Sequence, residues 1–329
     1  MDGPTSTTHY LEQLADLWQR YAKPGPYPLF ADYCAAPSCY LECLPTYIHA
    51  TAGLQASNAR MSRELGDLRA AQGNASAAAA RRAAADAITA ATIPRLYVAG
   101  ETEAEGGWWS VLDTSTGALT QVRHVIDFAY ATAGFCARGP AGSACALTAA
   151  QRAQMAGFAL NQLLLPDGKW VRALSLNDSA APIPRPDHGT TGAYDAWPAL
   201  LFEALTALDG GFERSMPVLK GLADVARDAP YGQAKQISGG GRIIKPVNGW
   251  TRGLANNGAA FAEAVIGSVF GYEPPWLPGR DGENWRAALK PAFAGAPRGV
   301  GGVLAGIRLP DGGYMNATLT AGGVDFSFY

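Results

Sequence analysis

Short turns alternate with long loops between the predicted helices, and this alternation constrains the fold of the 329-residue chain more than any other feature. Apolar residues repeat at helical spacing at about 45–71, 75–93, 121–134, 148–163, 195–208, 213–228 and 253–270. The connections near residues 73, 140 and 210 are short, whereas those at 94–120, 165–194 and 229–252 are long and rich in aromatic and acidic residues. Antiparallel helix pairs joined in this way place the short turns at one end and the long loops at the other. The sequence therefore predicts an all-α fold, an (α/α)6-type toroid whose long loops form a cup.

The two ends of the chain differ from this helical part, which we assign to residues 29–295. Residues 1–28 contain one predicted helix and a Pro-rich linker. Residues 296–329 are rich in glycine and alternate apolar with polar side chains around an Asp-Gly turn, which predicts one or two β-hairpins. We therefore expect an N-terminal helix with a linker, a toroid domain and a β-rich C-terminal segment.

Charge and hydropathy exclude several classes of partner. The chain has 26 Lys and Arg against 28 Asp and Glu, a net charge of −2, which gives no reason to expect nucleic acid or a membrane surface as a partner. No apolar run is long enough to span a membrane, and no basic-then-apolar signal segment begins the chain. Glycosylation sequons at Asn74, Asn177 and Asn316 leave secretion open, so the compartment stays undecided.

The five cysteines do not have the spacing of a metal site, and we expect neither a metal nor another cofactor. Cys136 and Cys145 flank a Gly-rich turn, which can bring their Cα atoms to about 4.4–6.8 Å, the usual range for a disulfide. If the protein is secreted, we therefore expect these two residues to be bonded. Cys34, Cys39 and Cys43 form a second group, and the odd total leaves one thiol over.

One loop, which runs directly into the helix near residue 195, carries the densest polar chemistry of the chain. Asp187 lies in the middle of this loop beside Arg185 and His188, and it is our first candidate for a catalytic carboxyl. A turn-ordering role for the same side chain is the alternative. Asp195 is placed as the N-cap of the following helix; if it is catalytic, the helix N-terminus favours its ionised form and hence a base.

Several loop side chains suit a carbohydrate, because aromatic planes stack on sugar faces and polar groups bind hydroxyls. The candidates for substrate binding are Arg185, His188, Tyr194, Trp197, Trp108, Trp109, Trp250 and Gln233. The alternative for each Trp is packing in the core or rim of the helical ring. His49 and His124 fall within predicted helical stripes, and we interpret them as packed histidines.

Several segments resemble the six-hairpin glycosidases and are similar to their oligosaccharide-glucosidase and trehalase-like branch. The motifs are the helical run Leu54–Leu68, the turn Gly73-Asn74-Ala75, Gly107-Trp108-Trp109 before Leu112-Asp113, and Tyr194-Asp195-Ala196-Trp197-Pro198. The resemblance extends over about residues 30–272 as pattern more than identity. It implies a ring of twelve helices, and because about eight are predicted here, we expect an incomplete or shortened toroid.

The resemblance also implies hydrolysis of a glycosidic bond with inversion, by one protonated and one ionised carboxyl about 6.5–9.5 Å apart. The proton donor of the family lies shortly upstream of the first hairpin, where this chain offers Asp32 or Glu42. The other carboxylate of the family comes in the loop before the last hairpin, where this chain has Gln233 and Gln236 and no Glu. A glutamine does not take a proton at neutral pH, so the usual second carboxylate of the family is missing from that loop.

We therefore predict a glycoside hydrolase acting on an oligosaccharide or glycoside, with Asp187 as one catalytic carboxyl and Glu42 or Asp32 as the other. Two alternatives stay open. A polysaccharide lyase of the same fold would use His188 or Tyr194 as its base, and a non-catalytic fragment would bind carbohydrate only. The toroid further predicts that the candidate residues from all the long loops meet at one end of the helices, opposite Asn74.

Overall fold

The computed structural model describes residues 6–37, 39–41, 44–102, 104–136, 145–166, 168–181, 188–194, 196–208, 211–228, 236–238, 256–272, 301–309 and 312–329. Its α-helices are α1 (Thr7–Ala15), α2 (Ala52–Ala71), α3 (Ala75–Leu96), α4 (Val125–Phe135), α5 (Ala149–Phe158), α6 (Trp197–Thr206), α7 (Gly211–Asp228) and α8 (Asn256–Glu263). The 3-10 helix Asp16–Arg20 follows α1, and π-helical turns at Ala159–Leu163 and Ala264–Val269 extend α5 and α8. No described helix meets the length and apolarity needed to cross a membrane.

The strands form three small antiparallel sheets. They are β1 (Tyr97–Ala99), β2 (Gly107–Leu112), β3 (Leu119–Val122), β4 (Gly192–Tyr194), β5 (Gln236–Ser238), β6 (Gly302–Arg308), β7 (Tyr314–Thr320) and β8 (Gly323–Phe328). Sheet order is β1-β2-β3, β4-β5 and β6-β7-β8. The last sheet agrees with the hairpins predicted for the C-terminal segment.

Helices α2 and α3 form an antiparallel hairpin through the short turn that the sequence predicts. Gly73 has φ +78°, a left-handed conformation that glycine adopts without steric cost. Asn74 then caps α3, because its side-chain oxygen accepts a hydrogen bond from the N–H of Ala77. These two residues end one helix and begin the next.

Alternate helices α2, α4 and α6 lie side by side, with their N-termini at the same end. Asp127, in the first turn of α4, accepts a 2.7 Å hydrogen bond from the N–H of Gly53 in the first turn of α2. The ring of His124, the N-cap of α4, lies 4.9 Å from the ring of Trp197, the first residue of α6. We call this end, with the described residues 44–51, 119–124, 188–194 and 196 that precede the three helices, the loop end. Closure into a complete toroid stays a prediction.

The structure differs from the sequence predictions in one predicted loop and at the starts of helices α2, α4 and α6. The segment 94–120 is not an irregular loop, since it contains β1 and β2 and the beginning of β3. Helix α2 begins only at Ala52, so His49 lies before it, with φ +61°, and not in a helical stripe. Likewise His124 caps α4 instead of lying within it. Helix α6 begins at Trp197 with Ala196 at the N-cap, and Asp195, which the sequence predicts at that position, lies outside the described residues.

Two disulfides are present among the described residues. Cys136 is bonded to Cys145, the pairing that we expect if the protein is secreted. Their Cα atoms are 3.9 Å apart, closer than expected, because the two residues pair as an isolated antiparallel bridge. Cys34 is bonded to Cys39, which the sequence did not predict. Cys43 lies outside the described residues.

Candidate functional site

Three of the predicted substrate-binding residues meet at the loop end. The ring of Trp197 lies 5.2 Å from that of His188 and 5.6 Å from that of Tyr194. Tyr194 is held in β4, whose backbone pairs with β5. The other candidates of this region and of the later loop lie outside the described residues: Arg185, Asp187, Asp195, Gln233 and Trp250, together with Glu42 from the early loop.

A row of aromatic rings connects this group to the loop before α2. Centroid distances are 5.6 Å from Tyr40 to Tyr47, 6.3 Å from Tyr47 to His124 and 4.9 Å from His124 to Trp197, and His188 follows at 5.2 Å. We call these five residues the aromatic row. Trp197 is 5% exposed, so its ring face is covered within the row and is not open to a sugar in this structure.

Trp108 and Trp109 do not lie in an open cup. Both belong to β2, in which every residue is buried, and Trp109 is 1% exposed. Its ring packs 5.5 Å from that of Phe135, while Trp108 packs 6.2 Å from Phe158 and carries the guanidinium of Arg123 at 3.8 Å from its ring centroid. Their predicted role in stacking on a sugar is therefore replaced by core packing and a cation–π contact.

Asp32 lies in a polar cluster that the sequence did not reveal. His49 Nδ1 is 3.2 Å from Asp32 Oδ2 and 4.0 Å from Asp113 Oδ1. The hydroxyl of Thr114 donates a 3.0 Å hydrogen bond to the same Oδ2 of Asp32. The Asp32 side chain is 6% exposed and that of His49 19% exposed, so solvent reaches the imidazole more than the carboxylate. We call Asp32, His49 and Asp113 the Asp–His–Asp cluster.

Asp113 belongs to a tight polar turn. Its carboxylate accepts hydrogen bonds from the N–H and hydroxyl of Ser115 and from the hydroxyl of Thr116, and these bonds hold the pKa of Asp113 well below its usual range. The run Asp113-Thr114-Ser115-Thr116-Gly117 is the one sequence signal that marks this carboxylate, because short hydroxyl side chains after an Asp favour such turns. Nothing in the sequence relates it to Asp32 or His49.

A fully buried acid lies beneath the aromatic row. Asp127 has no exposed surface, and its Oδ1 accepts hydrogen bonds from the hydroxyl of Tyr47 at 3.1 Å and from the N–H of Gly53 at 2.7 Å. Burial raises the pKa of Asp127 to about 7 against these two bonds, which lower it. Burial also lowers the pKa of the neighbouring His124 to about 3, with a smaller contribution from His188, so His124 is neutral. The sequence analysis did not single out Asp127; the one local signal for it is a carboxylate among the apolar residues that begin α4.

Comparison with known proteins gives a likeness of fold. No known protein family matches the chain, and no curated protein is similar to it at a significant level. Among solved structures, the chain is similar to one titled "Sialidase", with a TM-score of 0.58 and 12% sequence identity. The likeness covers 98% of this chain and 29% of the other, so this chain spans less than a third of that protein's length. At this level of identity the likeness concerns the fold alone.

Proposed function

We propose that the chain is a glycoside hydrolase that acts on an oligosaccharide or glycoside at the loop end of an (α/α)6-type toroid. One observation carries the proposal: two stretches far apart in the sequence, one with Asp32 and one with His188, Tyr194 and Trp197, both reach the shared N-terminal end of α2, α4 and α6. The fold likeness to a protein titled "Sialidase" supports a carbohydrate substrate. This is the class of substrate that the loops were predicted to bind.

Asp187 and Glu42 are the carboxyls to which we assign the chemistry. Asp187 directly precedes His188, which lies at the loop end. Asp32 is the less suitable partner, because its Oδ2 already faces the His49 imidazole and accepts from Thr114, and its side chain is nearly buried. A general acid must present its proton to the leaving oxygen of the substrate. We therefore assign proton donation to Glu42, with inversion as the expected outcome.

The test compares Asp187→Asn and Glu42→Gln with Asp67→Asn, an exposed carboxylate on α2 whose partner is Arg82. Each variant and the wild type are assayed on a panel of aryl glycosides and oligosaccharides. We expect turnover to fall by roughly 10²–10⁴-fold in the first two variants and to stay unchanged in the third. The anomer first formed, followed by NMR, reports inversion. Unchanged turnover in Asp187→Asn would show that this assignment is wrong.

A polysaccharide lyase is the second candidate, and the closeness of His188 and Tyr194 to one ring, that of Trp197, favours it. In such a lyase, His188 or Tyr194 would act as the base that removes a proton from a uronate of the substrate, and the glycosidic oxygen would then leave by elimination. Such a reaction gives an unsaturated product that absorbs ultraviolet light, whereas hydrolysis gives only new reducing ends. Sugar binding by calorimetry without either product would instead indicate a carbohydrate-binding fragment.

A further inference from the structure

We propose that the Asp–His–Asp cluster binds one divalent cation, with His49 Nδ1, Asp32 Oδ2 and Asp113 Oδ1 as its protein ligands. The three ligand atoms lie within 4.8 Å of one another and converge from separate parts of the chain. An imidazole nitrogen with two carboxylate oxygens is a ligand set for Mn²⁺ or Zn²⁺ more than for Ca²⁺ or Mg²⁺, which prefer oxygen alone. This site goes beyond the proposed hydrolysis and does not depend on it.

The distances suit a site of this kind. A cation that binds nitrogen and oxygen at about 2.0–2.2 Å holds neighbouring ligands roughly 3.0–3.6 Å apart, so a pair at 4.0 Å must close by roughly half an ångström. The separation of 3.2 Å between His49 Nδ1 and Asp32 Oδ2 is already in this range, and the separation of 4.0 Å between His49 Nδ1 and Asp113 Oδ1 must shorten. The Asp113 side chain is 21% exposed, so its movement meets solvent on one side, while its bonds to Ser115 and Thr116 limit how far it can move.

Charge in the cluster also favours a cation. Two carboxylates face one imidazole, and among the described residues no Lys or Arg nitrogen lies within 4.0 Å of either carboxylate. Two carboxylates this close together repel each other across a partly buried space. A divalent cation neutralises both.

The ligands are positioned before a cation arrives. Asp32 follows Ala31, whose backbone N–H and C=O both bond to the side chain of Gln55 in α2. His49 and Asp113 are brought together by the two backbone hydrogen bonds between Ala50 and Leu112. Each carboxylate is in turn held by hydroxyl groups of the turn after Asp113. Ligating carboxylates oriented by such outer hydrogen bonds are typical of metal sites.

The experiment titrates Mn²⁺ into the full chain after removal of metals by a chelator, and it follows free Mn²⁺ by electron paramagnetic resonance. We expect one saturable site and binding at least tenfold weaker in His49→Asn and in Asp113→Asn. Asparagine suits position 49 because it tolerates the left-handed conformation that His49 adopts at φ +61°. His9→Asn, which removes a histidine of α1 whose described side-chain partner is Gln13, is the matched control and should bind as the wild type does.

Circular dichroism and the melting temperature without metal establish that each variant is folded. Mn²⁺ should raise the melting temperature of the wild type and not that of folded His49→Asn or Asp113→Asn. Titration without saturation, or equal affinity in wild type and His49→Asn, would overturn the proposal. If Ca²⁺ displaces Mn²⁺ at equal concentration, the site does not select a cation that binds nitrogen, and the assignment of the His49 imidazole as a ligand is wrong. No sugar is present, so a failure of glycoside hydrolysis leaves these readouts intact.

Discussion

Asp127 joins the first turn of α4 to the first turn of α2, and its replacement tests how these parallel helices are held. The side chain is fully buried, and its Oδ1 receives both hydrogen bonds, from Tyr47 and from Gly53. Among the described atoms, none makes a hydrogen bond to its Oδ2. Loss of water around the carboxyl is the largest effect, and it raises the pKa from 3.8 to about 7.

The raised pKa makes stability depend on pH with a definite sign. Between about pH 4 and pH 7 the folded protein keeps a proton on Asp127 that the unfolded chain has lost, so the free energy of unfolding falls as pH rises. At 1.36 kcal/mol for each factor of ten in proton affinity, the change is about 4 kcal/mol. The positive end of α2 favours the ionised form by up to about 2 kcal/mol. We therefore expect a net loss of about 2–4 kcal/mol.

The variant Asp127→Asn keeps one oxygen acceptor and does not titrate. Its buried NH₂ group costs stability equally at every pH, so only the slope against pH is diagnostic. Urea unfolding at pH 5 and pH 8 should show the variant gaining roughly 2 kcal/mol relative to wild type as pH rises. The exposed control Asp67→Asn should show no such gain. If wild type and Asp127→Asn lose stability in parallel, Asp127 is ionised in the folded protein and the reasoning fails.

Two further outcomes follow from close contacts. Gly134→Ala places a Cβ 2.5 Å from the backbone of Ala56, where α4 packs on α2, and should lower the free energy of unfolding by about 1–3 kcal/mol. In the control Gly301→Ala the new Cβ has no atom within 4 Å, so stability should not change. Equal melting temperatures for the two variants would contradict the close packing of α4 on α2. Replacing Cys34 and Cys39 together by Ser should weaken Mn²⁺ binding several-fold, because the carbonyl of Cys34 accepts a hydrogen bond from the backbone N–H of His49. Unchanged Mn²⁺ affinity would show that the disulfide does not position His49.

The helices could be predicted because their signals are local. Apolar periodicity located α2 and α3, and Gly73-Asn74 marked the turn between them. The sheet within 94–120 could not be predicted in the same way, because all six residues of β2 are buried and therefore show no alternation. The start of α2 was placed too early because Tyr47 continues the apolar spacing of the helix, although it packs from the preceding loop.

The candidate site could be predicted only where its residues are neighbours in sequence. His188, Tyr194 and Trp197 come from one loop and one helix start, and the structure brings them together. The Asp–His–Asp cluster joins residues 32, 49 and 113 through isolated backbone bridges, which have no sequence signature. Trp108 and Trp109 were expected in an open loop because the strand that buries them was not foreseen. Burial is set by tertiary packing, which spacing alone does not report.

The parallel arrangement of α2, α4 and α6 also has a consequence for biosynthesis. Helix α2 packs on α4 and α4 packs on α6, and in each pair the second helix begins about seventy residues after the first. The face of α4 that ends against α6 therefore stays uncovered while residues 136–196 are being translated. Incomplete chains with such exposed apolar surface are prone to aggregate. Chaperone protection of the chain in this interval would therefore raise the yield of folded protein, and slowed translation in the same interval would lower it.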